Sequence, residues 1–278
     1  MFGVHILKKD ISVNDTLKIY LDEFKNKLSS IQIFTHGPRS YKSNKIDYNE
    51  FKNKIETNNL NLYIHTSYFS NVWNNKLQSF ITTIHQFKLA STLKAKGVVL
   101  HIPKKNKEDI ITGLKKLILE LKRKKIDVLI LLEMKAIKQD PDLSYESPKK
   151  LDLLIKKMKK EGIKKKDVGF VIDTAHIYSG RQKIKTYNQA KKYMDDFKNK
   201  DWVRLFHLNG NQYNNDEKSR DKHAIPFDKT DQIWCNIKYN NSGCKYFTEY
   251  CKINNLDFIL EIKNEHTIKN VKKFVQLL

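Results

Sequence analysis

The sequence lacks any apolar run near the roughly 20 residues that a membrane-spanning helix needs. Its first ten residues, MFGVHILKKD, hold an apolar stretch too short for a secretory signal, and no small-residue cleavage site follows them. We therefore expect a protein that is not secreted and has no membrane partner. Its expected location is inside the cell, in the cytoplasm or the nucleus.

Cysteine is also scarce. The chain has three, Cys235, Cys244 and Cys251, an odd number without a CxxC pair, which argues against a disulfide framework and against a zinc ribbon. We expect these thiols to be reduced and structural. No GxGxxG follows the first predicted strand, and neither GxxxxGKS nor GxxxxGKT occurs anywhere in the chain. A nucleotide cofactor is therefore not expected.

Acidic residues are in the minority. The chain has 53 Lys and Arg against 31 Asp and Glu, a net charge of +22. Such an excess attracts polyanions, and DNA or RNA is the first candidate. Only five of the basic residues are arginines, and a chain rich in Lys, Asn and Ile is also what A+T-rich coding sequence produces by drift. Because lysine faces are often simply solvated, the charge alone leaves both interpretations open.

The apolar residues predict regular secondary structure. They make up 40% of the 278 residues, enough to bury one large core. Short apolar runs rich in β-branched residues alternate with longer segments of helical periodicity. The eight predicted strands are Phe2–Ile6, Ile31–Thr35, Leu62–His65, Gly97–His101, Val128–Glu133, Val168–Asp173, Val203–His207 and Phe258–Glu261. The clearest predicted helices are Lys76–Lys96, Lys107–Lys124, Ser147–Glu161, Tyr187–Lys200 and one from about Thr267 to the last residue.

This alternation predicts a parallel sheet with helical crossovers. Eight repeats within about 250 residues favour a closed (β/α)8 TIM barrel over an open doubly wound sheet. No linker rich in Pro, Gly or Ser divides the chain, so we predict one barrel domain over residues 1–278, acting as a monomer. The longest irregular segments, residues 38–47, 135–146 and 210–234, all follow strands, on the side where barrel loops build active sites.

Potential metal ligands stand at the ends of six consecutive predicted strands. Because all strands of such a barrel point the same way, the six side chains converge on one face. They are His65, His101, Glu133, Asp173, His207 and Glu261. Three more candidates lie in the following loops: His176, three residues after Asp173, and the pair Asp221 and His223.

Each of these nine residues has an ordinary explanation when taken alone. A histidine after a strand is more often a hydrogen-bonded loop residue, and a strand-terminal carboxylate is often a helix N-cap. Together, however, the apolar strands would bury six ionisable groups at one place, which is costly without compensation. Imidazole and carboxylate without thiolate suit zinc or manganese at a catalytic centre. Nine ligands suit two or three ions, an arrangement used for phosphodiester hydrolysis, so a nuclease or a phosphatase is indicated.

With these residues in place, the chain resembles the endonuclease IV family of apurinic/apyrimidinic endonucleases. The resemblance covers nearly the whole chain, from FGVHI to ILEIK. The most specific motifs are FVIDTAHIYSG, LFHLNGN and SRDKH, and HTSY, VVLH, LLEMKA and ILE follow in the right order. The resemblance implies a zinc-dependent enzyme that cuts double-stranded DNA on the 5′ side of abasic sites, leaving a 3′-hydroxyl and a 5′-deoxyribose phosphate. Removal of blocking groups from 3′ ends is an implied second activity.

The resemblance also implies three zinc ions, with manganese in some of the sites left open, and a metal-bound hydroxide as nucleophile. Glu133 would bridge two ions, and Glu261 would help to orient the attacking water as well as bind metal. By motif, the three ligand sets would be His65, His101 and Glu133; Asp173, His207 and Glu261; and His176, Asp221 and His223.

Two further residues match positions that contact DNA in the family. Arg39, in THGPRSY, and Tyr68, in HTSY, would press into the duplex at the lesion, where a missing base leaves a gap that a side chain can fill. The alternatives are a phosphate or helix-end contact for Arg39 and a core aromatic for Tyr68. His5 also matches a family position, but we do not count it as a ligand. His36, His85 and His266 have no matched role, and surface or capping positions are expected for them.

The chain departs from the family around its ligands. VVLHIP lacks the usual Pro-Gly after the histidine, LLEMKA lacks the usual Asn-Thr, HLNG replaces HLND, and DKHAIP lacks flanking Arg and Gly. These changes concern the surroundings of the ligands, which tune rate and substrate range. Two rival functions are kept: a metal-dependent sugar-phosphate isomerase or epimerase of the same barrel type, and a basic, non-catalytic DNA-binding barrel.

Overall fold

The computed structural model describes residues 1–6, 12–24, 27–73, 76–103, 109–134, 145–213, 222–261 and 267–278. Within them, eight parallel strands close into a barrel, with the last strand paired to the first. The prediction of a (β/α)8 barrel is therefore confirmed. The barrel strands are Phe2–Ile6 (β1), Ser30–Phe34 (β2), Asn61–His65 (β3), Gly97–His101 (β4), Leu129–Glu133 (β5), Val168–Asp173 (β6), Val203–His207 (β7) and Asp257–Leu260 (β10). A small antiparallel pair, Gly210–Asn211 (β8) and His223–Ala224 (β9), lies outside the barrel.

Helices connect the strands on the outside of the barrel, as the crossover rule requires. They are Val13–Phe24 (α1), Tyr48–Thr57 (α2), Leu77–Thr92 (α3), Ile110–Arg123 (α4), Pro148–Lys160 (α5), Thr174–Ser179 (α6), Tyr187–Asp196 (α7), Gly243–Ile253 (α8) and Thr267–Val275 (α9). Within the described ranges, none of these helices is long and apolar enough to span a bilayer.

Local capping explains where several helices begin. Asp109 accepts hydrogen bonds from the amides of Ile111 and Thr112, so α4 begins at Ile110. Ser147 caps α5, and Thr186 forms a capping box with Gln189 at the start of α7. These side chains satisfy amides that have no partner inside the helix. The predicted helices were therefore about right in position but too long at their ends.

Two apolar layers hold the barrel together. The larger one fills the space between the strands and the surrounding helices. The smaller one fills the inside of the barrel, and six of the eight strands contribute one side chain each: Tyr63, Val99, Leu131, Val171, Leu205 and Ile259. Because side chains alternate along a strand, the residue two positions further on also points inward. The side chains two positions beyond the inner apolar layer therefore line the carboxyl end of the barrel.

Candidate metal centre

One polar layer closes the carboxyl end of the barrel. It lies two residues beyond the inner apolar layer on the same six strands, and it consists of His65, His101, Glu133, Asp173, His207 and Glu261. The other two strands contribute His5 on β1 and Gln32 on β2, which join the layer through hydrogen bonds to Glu261. The predicted convergence of strand-terminal residues is thus seen in the structure, and its cause is the two-residue period of the strands.

The ligand atoms of these residues fall into three overlapping groups, each within 4.8 Å. The groups are His65, His101 and Glu133; Glu133, Asp173, His207 and Glu261; and Asp173, His176 and His223. We call them the first, middle and third groups. Eight of the nine residues predicted as ligands belong to them. The ninth, Asp221, lies outside the described residues, and in the described part of the third group Asp173 stands beside His176 and His223.

Glu133 joins the first and middle groups through its two oxygens. Its Oε2 lies 3.1 Å from His65 Nε2 and 2.9 Å from His101 Nε2. Its Oε1 lies 3.2 Å from His207 Nδ1. The carboxylate is completely buried, and among the described residues His176 Nδ1 also faces it, 3.3 Å from Oε1. This is the geometry of a carboxylate shared between two neighbouring cations.

Asp173 has two functions at the same time. Its Oδ1 caps α6 by accepting a hydrogen bond from the amide of His176 at 2.9 Å, which is the ordinary role considered for a strand-terminal carboxylate. Its Oδ2 lies 3.7 Å from His207 Nδ1 and 3.7 Å from His223 Nε2. Oδ1 therefore caps the helix that carries His176, and Oδ2 faces the ligand groups.

The histidines are oriented for binding through one nitrogen each. His65 Nδ1 donates to Thr66 O at 2.8 Å, and His176 Nδ1 donates to Met134 O at 2.7 Å. His223 Nδ1 lies 3.1 Å from Glu261 O, and His207 Nε2 lies 3.0 Å from Gln32 Oε1. An acceptor on one ring nitrogen fixes the proton there and leaves a lone pair on the other, as is typical of metal-binding histidines.

The electrostatics of the centre favour bound cations. Burial acts to raise the pKa of the Glu133 carboxyl, but the nearby His101 and His207 outweigh it and hold that pKa well below its usual value. Burial likewise acts to lower the pKa of His207, and the charges of Glu261 and Glu133 overcome it and raise that pKa well above 6.5. Burial raises the pKa of Asp173. Three buried or nearly buried carboxylates thus rely on imidazole protons for compensation, a role that metal ions would take over.

The chemistry of the donor set fits zinc. All described ligand atoms are imidazole nitrogens or carboxylate oxygens, without thiolate, which suits a catalytic zinc or manganese site. Burial lowers the pKa of His101, which favours the neutral ring, and the neutral ring is the form that binds metal.

Tyr68 lies beside the first group, and Arg39 follows Pro38, whose carbonyl oxygen accepts a hydrogen bond from the amide of Tyr68. Tyr68 is 52% exposed, so it is not a core aromatic. Its ring centroid lies 5.4 Å from that of His101 and 5.9 Å from that of His65. Arg39 is exposed at the tip of the loop after β2. Two of the three long irregular segments carry residues of interest: residues 38–47 include Arg39, and residues 210–234 include His223. Most of the third segment, residues 135–146, lies outside the described ranges.

Two residues that support the centre, Gln32 and Asn209, were not predicted, and His5, noted only as matching a family position, supports it as well. Gln32 and His5 contact Glu261 from β2 and β1. Asn209 donates from Nδ2 to Asp173 Oδ2 at 2.8 Å and accepts the amide of Glu261 on Oδ1, also at 2.8 Å. A polar residue at an inward position of an apolar strand was the available signal for Gln32 and His5, whereas nothing in the sequence links Asn209 to Glu261.

The departure HLNG also has a structural reason. A Cβ on Gly210 would lie 2.6 Å from Oδ1 of Asp231. Asp231 is completely buried and accepts hydrogen bonds from the backbone amides of Asn211, Phe227, Ile233 and Trp234. Gly210 is therefore needed because Asp231 organises the segment that returns to the barrel after His223.

The fold and the site define a TIM barrel with a cluster of potential metal ligands at the carboxyl end of its strands. The chain belongs to the xylose isomerase-like TIM barrel family, whose model matches residues 25–234, and within it to the endonuclease IV-like group. A relative in African swine fever virus (isolate Tick/Malawi/Lil 20-1/1983), named "Probable AP endonuclease", is 30% identical over 244 residues. The match covers 84% of this chain and 78% of that protein.

Solved structures show the same fold. The crystal structure of AsfvAP:AG matches with a TM-score of 0.79 at 23% identity, over 99% of this chain and 96% of that one. A D-tagatose 3-epimerase-like protein matches with a TM-score of 0.65 at 14% identity, over 99% of this chain and 95% of that one. At these identities the structural likeness concerns the barrel alone, since barrels host many chemistries.

Proposed function

We propose that this protein is a zinc-dependent apurinic/apyrimidinic endonuclease that hydrolyses the phosphodiester 5′ to abasic sites in double-stranded DNA. The products would carry a 3′-hydroxyl and a 5′-deoxyribose phosphate. Three zinc ions would occupy the three groups, and Asp221 would complete the third. Manganese in some of these sites remains an alternative. The observation that carries the proposal is the sharing of Glu133 and Asp173 between neighbouring groups, because shared carboxylates hold cations close together.

Closely spaced ions in these groups would polarise the phosphate, acidify a water molecule and stabilise the leaving oxygen. The protein's own residues have distinct roles around this chemistry. Glu133 and Asp173 would hold the groups at fixed separations. Glu261 is 11% exposed where Glu133 is fully buried. Glu261 is therefore the one of these two carboxylates that solvent reaches, and it would orient the attacking water.

Arg39 and Tyr68 would recognise the lesion. An abasic site leaves a gap in the base stack, and inserting a side chain there favours the damaged duplex over intact DNA. The exposed ring of Tyr68 lies beside the candidate ligands His65 and His101, so DNA held by Tyr68 would have its backbone near the centre. The net charge of +22 adds attraction to the backbone independent of sequence. Removal of blocking groups from 3′ ends would use the same centre.

The two rival functions lead to different expectations. An isomerase or epimerase of this barrel type needs one or two metals and no DNA, and the third group, with its shared Asp173, has no evident use in it. A non-catalytic DNA-binding barrel needs no buried ligand cluster at all. The loss of one ligand would favour this second rival, yet eight candidate ligands stand together in the described residues.

The decisive experiment uses a duplex with one tetrahydrofuran abasic analogue beside an undamaged duplex. The purified protein is assayed on both, and its bound metals are counted by mass spectrometry. We expect a single cut 5′ to the analogue and about three metals per chain. Glu261→Gln is expected to abolish the cut. Glu249→Gln changes an exposed glutamate that bonds Tyr187 and serves as the matched control with full activity.

Two results would contradict the proposal. Full metal occupancy without cleavage of either duplex would favour the isomerase, which a screen of sugar phosphates then tests. Neither metal nor cleavage, with retained DNA binding, would favour the non-catalytic barrel. A parallel substrate with a 3′-phosphate end tests the second activity separately.

A further inference from the structure

We propose that Gln32 is a positioning residue that holds two ligands of the middle group, His207 and Glu261, in the orientation that binds metal. This inference rests on the metal centre of the proposed function. It extends that function by naming a residue on β2, a strand without a candidate ligand, that would adjust the metal affinity of the middle group.

Gln32 occupies the polar layer at the carboxyl end of the barrel. It lies two residues after Ser30 on β2 and is completely buried. Within the described residues, the six other barrel strands from β3 onward provide one candidate ligand each at or just after their ends, whereas β1 and β2 provide His5 and Gln32. An uncharged amide at such a position can satisfy neighbouring ligands without competing for a cation.

The amide oxygen of Gln32 sets the tautomer of His207. Its Oε1 lies 3.0 Å from His207 Nε2, so it accepts the proton that Nε2 carries. When His207 gives up its other proton to bind a metal, the lone pair therefore lies on Nδ1, the atom 3.2 Å from both Glu133 Oε1 and Glu261 Oε2. Backbone carbonyl oxygens accept the corresponding hydrogen bond from His65, His176 and His223. Of these four acceptors, Gln32 alone is a side chain, and therefore alone can be removed by substitution.

The amide nitrogen of Gln32 fixes Glu261. It donates to Glu261 Oε1 at 2.6 Å, and His5 Nδ1 lies 3.1 Å from the same oxygen. Gln32 Nε2 also lies 2.9 Å from His5 Nδ1, but these three atoms form a tight triangle, and the two N–H bonds of one amide diverge too widely to serve both neighbours. We assign the protons so that Gln32 and His5 both donate to Oε1. Oε2 is left to face the middle group.

One residue thus holds a ligand from β7 and the ligand that follows β10. Without it, both side chains could rotate before a metal binds, and the middle site would lose its preorganisation. Hydrogen-bond partners of this kind typically contribute about ten- to a hundredfold in metal affinity. The first and third groups do not contact Gln32 directly, so their affinity should change much less.

The test is a zinc titration of metal-free protein against a chromophoric chelator, without DNA. Gln32→Met keeps the side-chain volume and removes both hydrogen bonds. Gln86→Met is the matched control, because Gln86 is also completely buried and bonded, to the amide of Ser67 and to Thr82 O, but contacts no ligand of the three groups in the described residues. We expect Gln32→Met to weaken one class of zinc site by about ten- to a hundredfold. Gln86→Met should lower only the melting temperature.

Equal zinc affinity in wild type and Gln32→Met would overturn the inference. An equal loss in Gln86→Met would also overturn it, since the effect would then reflect general loosening. Should Gln32→Met fail to fold, Gln32→Asn carries the same test, because its amide is one methylene too short to reach both ligands. The DNA-cleavage assay of the wild type is independent, so a failure of the proposed endonuclease leaves this zinc measurement interpretable.

Discussion

The backbone amide of Tyr68 donates a hydrogen bond to the carbonyl oxygen of Pro38 at 2.8 Å. This bond joins the loop after β3 to the loop after β2, whose next residue is Arg39. The hydroxyl of Ser67 reinforces the junction, lying 2.9 Å from Ser40 O and 3.2 Å from Pro38 O. The backbone segments that carry Tyr68 and Arg39, the two residues that we propose to contact DNA, are therefore joined directly to each other.

Removing either of these side chains should weaken catalysis on damaged DNA without affecting the metals. Stacking on an aromatic ring is worth about 1–3 kcal/mol per base, so Tyr68→Ala should lower kcat/KM on the abasic duplex by about tenfold or more. We expect a similar direction for Arg39→Ala. Arg123→Ala, at an exposed arginine paired with Glu120, is the control. Metal counts of all three variants should equal the wild type, and a metal loss in Tyr68→Ala would instead indicate a structural role.

Glu133 is expected to be the residue whose substitution costs most. Glu133→Gln removes the charge that faces His65, His101 and His207, so the first and middle groups should both lose metal. In metal-free protein the same change removes one of the two carboxylates, Glu133 and Glu261, that face His207. Breaking a buried ion pair on one side costs about 3–5 kcal/mol. Urea unfolding in the presence of a chelator measures this loss, and a decrease below 1 kcal/mol would show that His207 is compensated elsewhere.

His36 predicts a pH dependence of stability away from the metal centre. Burial, followed by the charge of His85, lowers the pKa of His36 to about 4. Its pKa in the unfolded chain is 6.5, so between these values the unfolded state binds the proton more readily. The folded state therefore loses stability as the pH falls from 6.5 towards 4. His36→Asn should flatten this decline, as followed by urea midpoints at several pH values in a chelator, and an unchanged decline would exclude His36 as its source.

The cysteines should differ in reactivity. Burial raises the pKa of both Cys244 and Cys251, so neither forms the reactive thiolate at pH 8, whereas Cys235 is partly exposed. We expect an aromatic disulfide reagent to modify one thiol quickly in native protein and all three after unfolding. In Cys235→Ser the fast phase of thiol modification should be absent. Fast modification of a second thiol would mean that α8, which carries both buried cysteines, opens in the native state.

Most of the barrel could be predicted because its strands are short apolar runs with clear ends. The bounds of Phe2–Ile6, Gly97–His101, Val168–Asp173 and Val203–His207 agree with the structure. The prediction was one residue off for β2, where Ser30 pairs within the sheet and Thr35 does not.

The convergence of six candidate ligands was predictable for the same reason: five of them end a strand and Glu261 directly follows one. Short elements that depend on tertiary contacts were not. The helix α6 exists because Asp173 caps it, and the pair β8 and β9 is held by contacts between distant segments. His36 was expected at the surface or as a cap, but it is buried beside Thr35 and His85. A contact across the fold, such as that of His36 with α3, leaves no local pattern in the sequence.

The order of the ligands along the chain has a consequence for synthesis in the cell. His65 becomes available early, but Glu261 follows the last barrel strand, and Gln32 can orient it only after β10 has paired with β1. A growing chain therefore cannot complete the middle group until Glu261 has been made and β10 has paired with β1. Since a ligand that binds only the folded state stabilises it, metal uptake by this group would mark the moment at which the barrel closes.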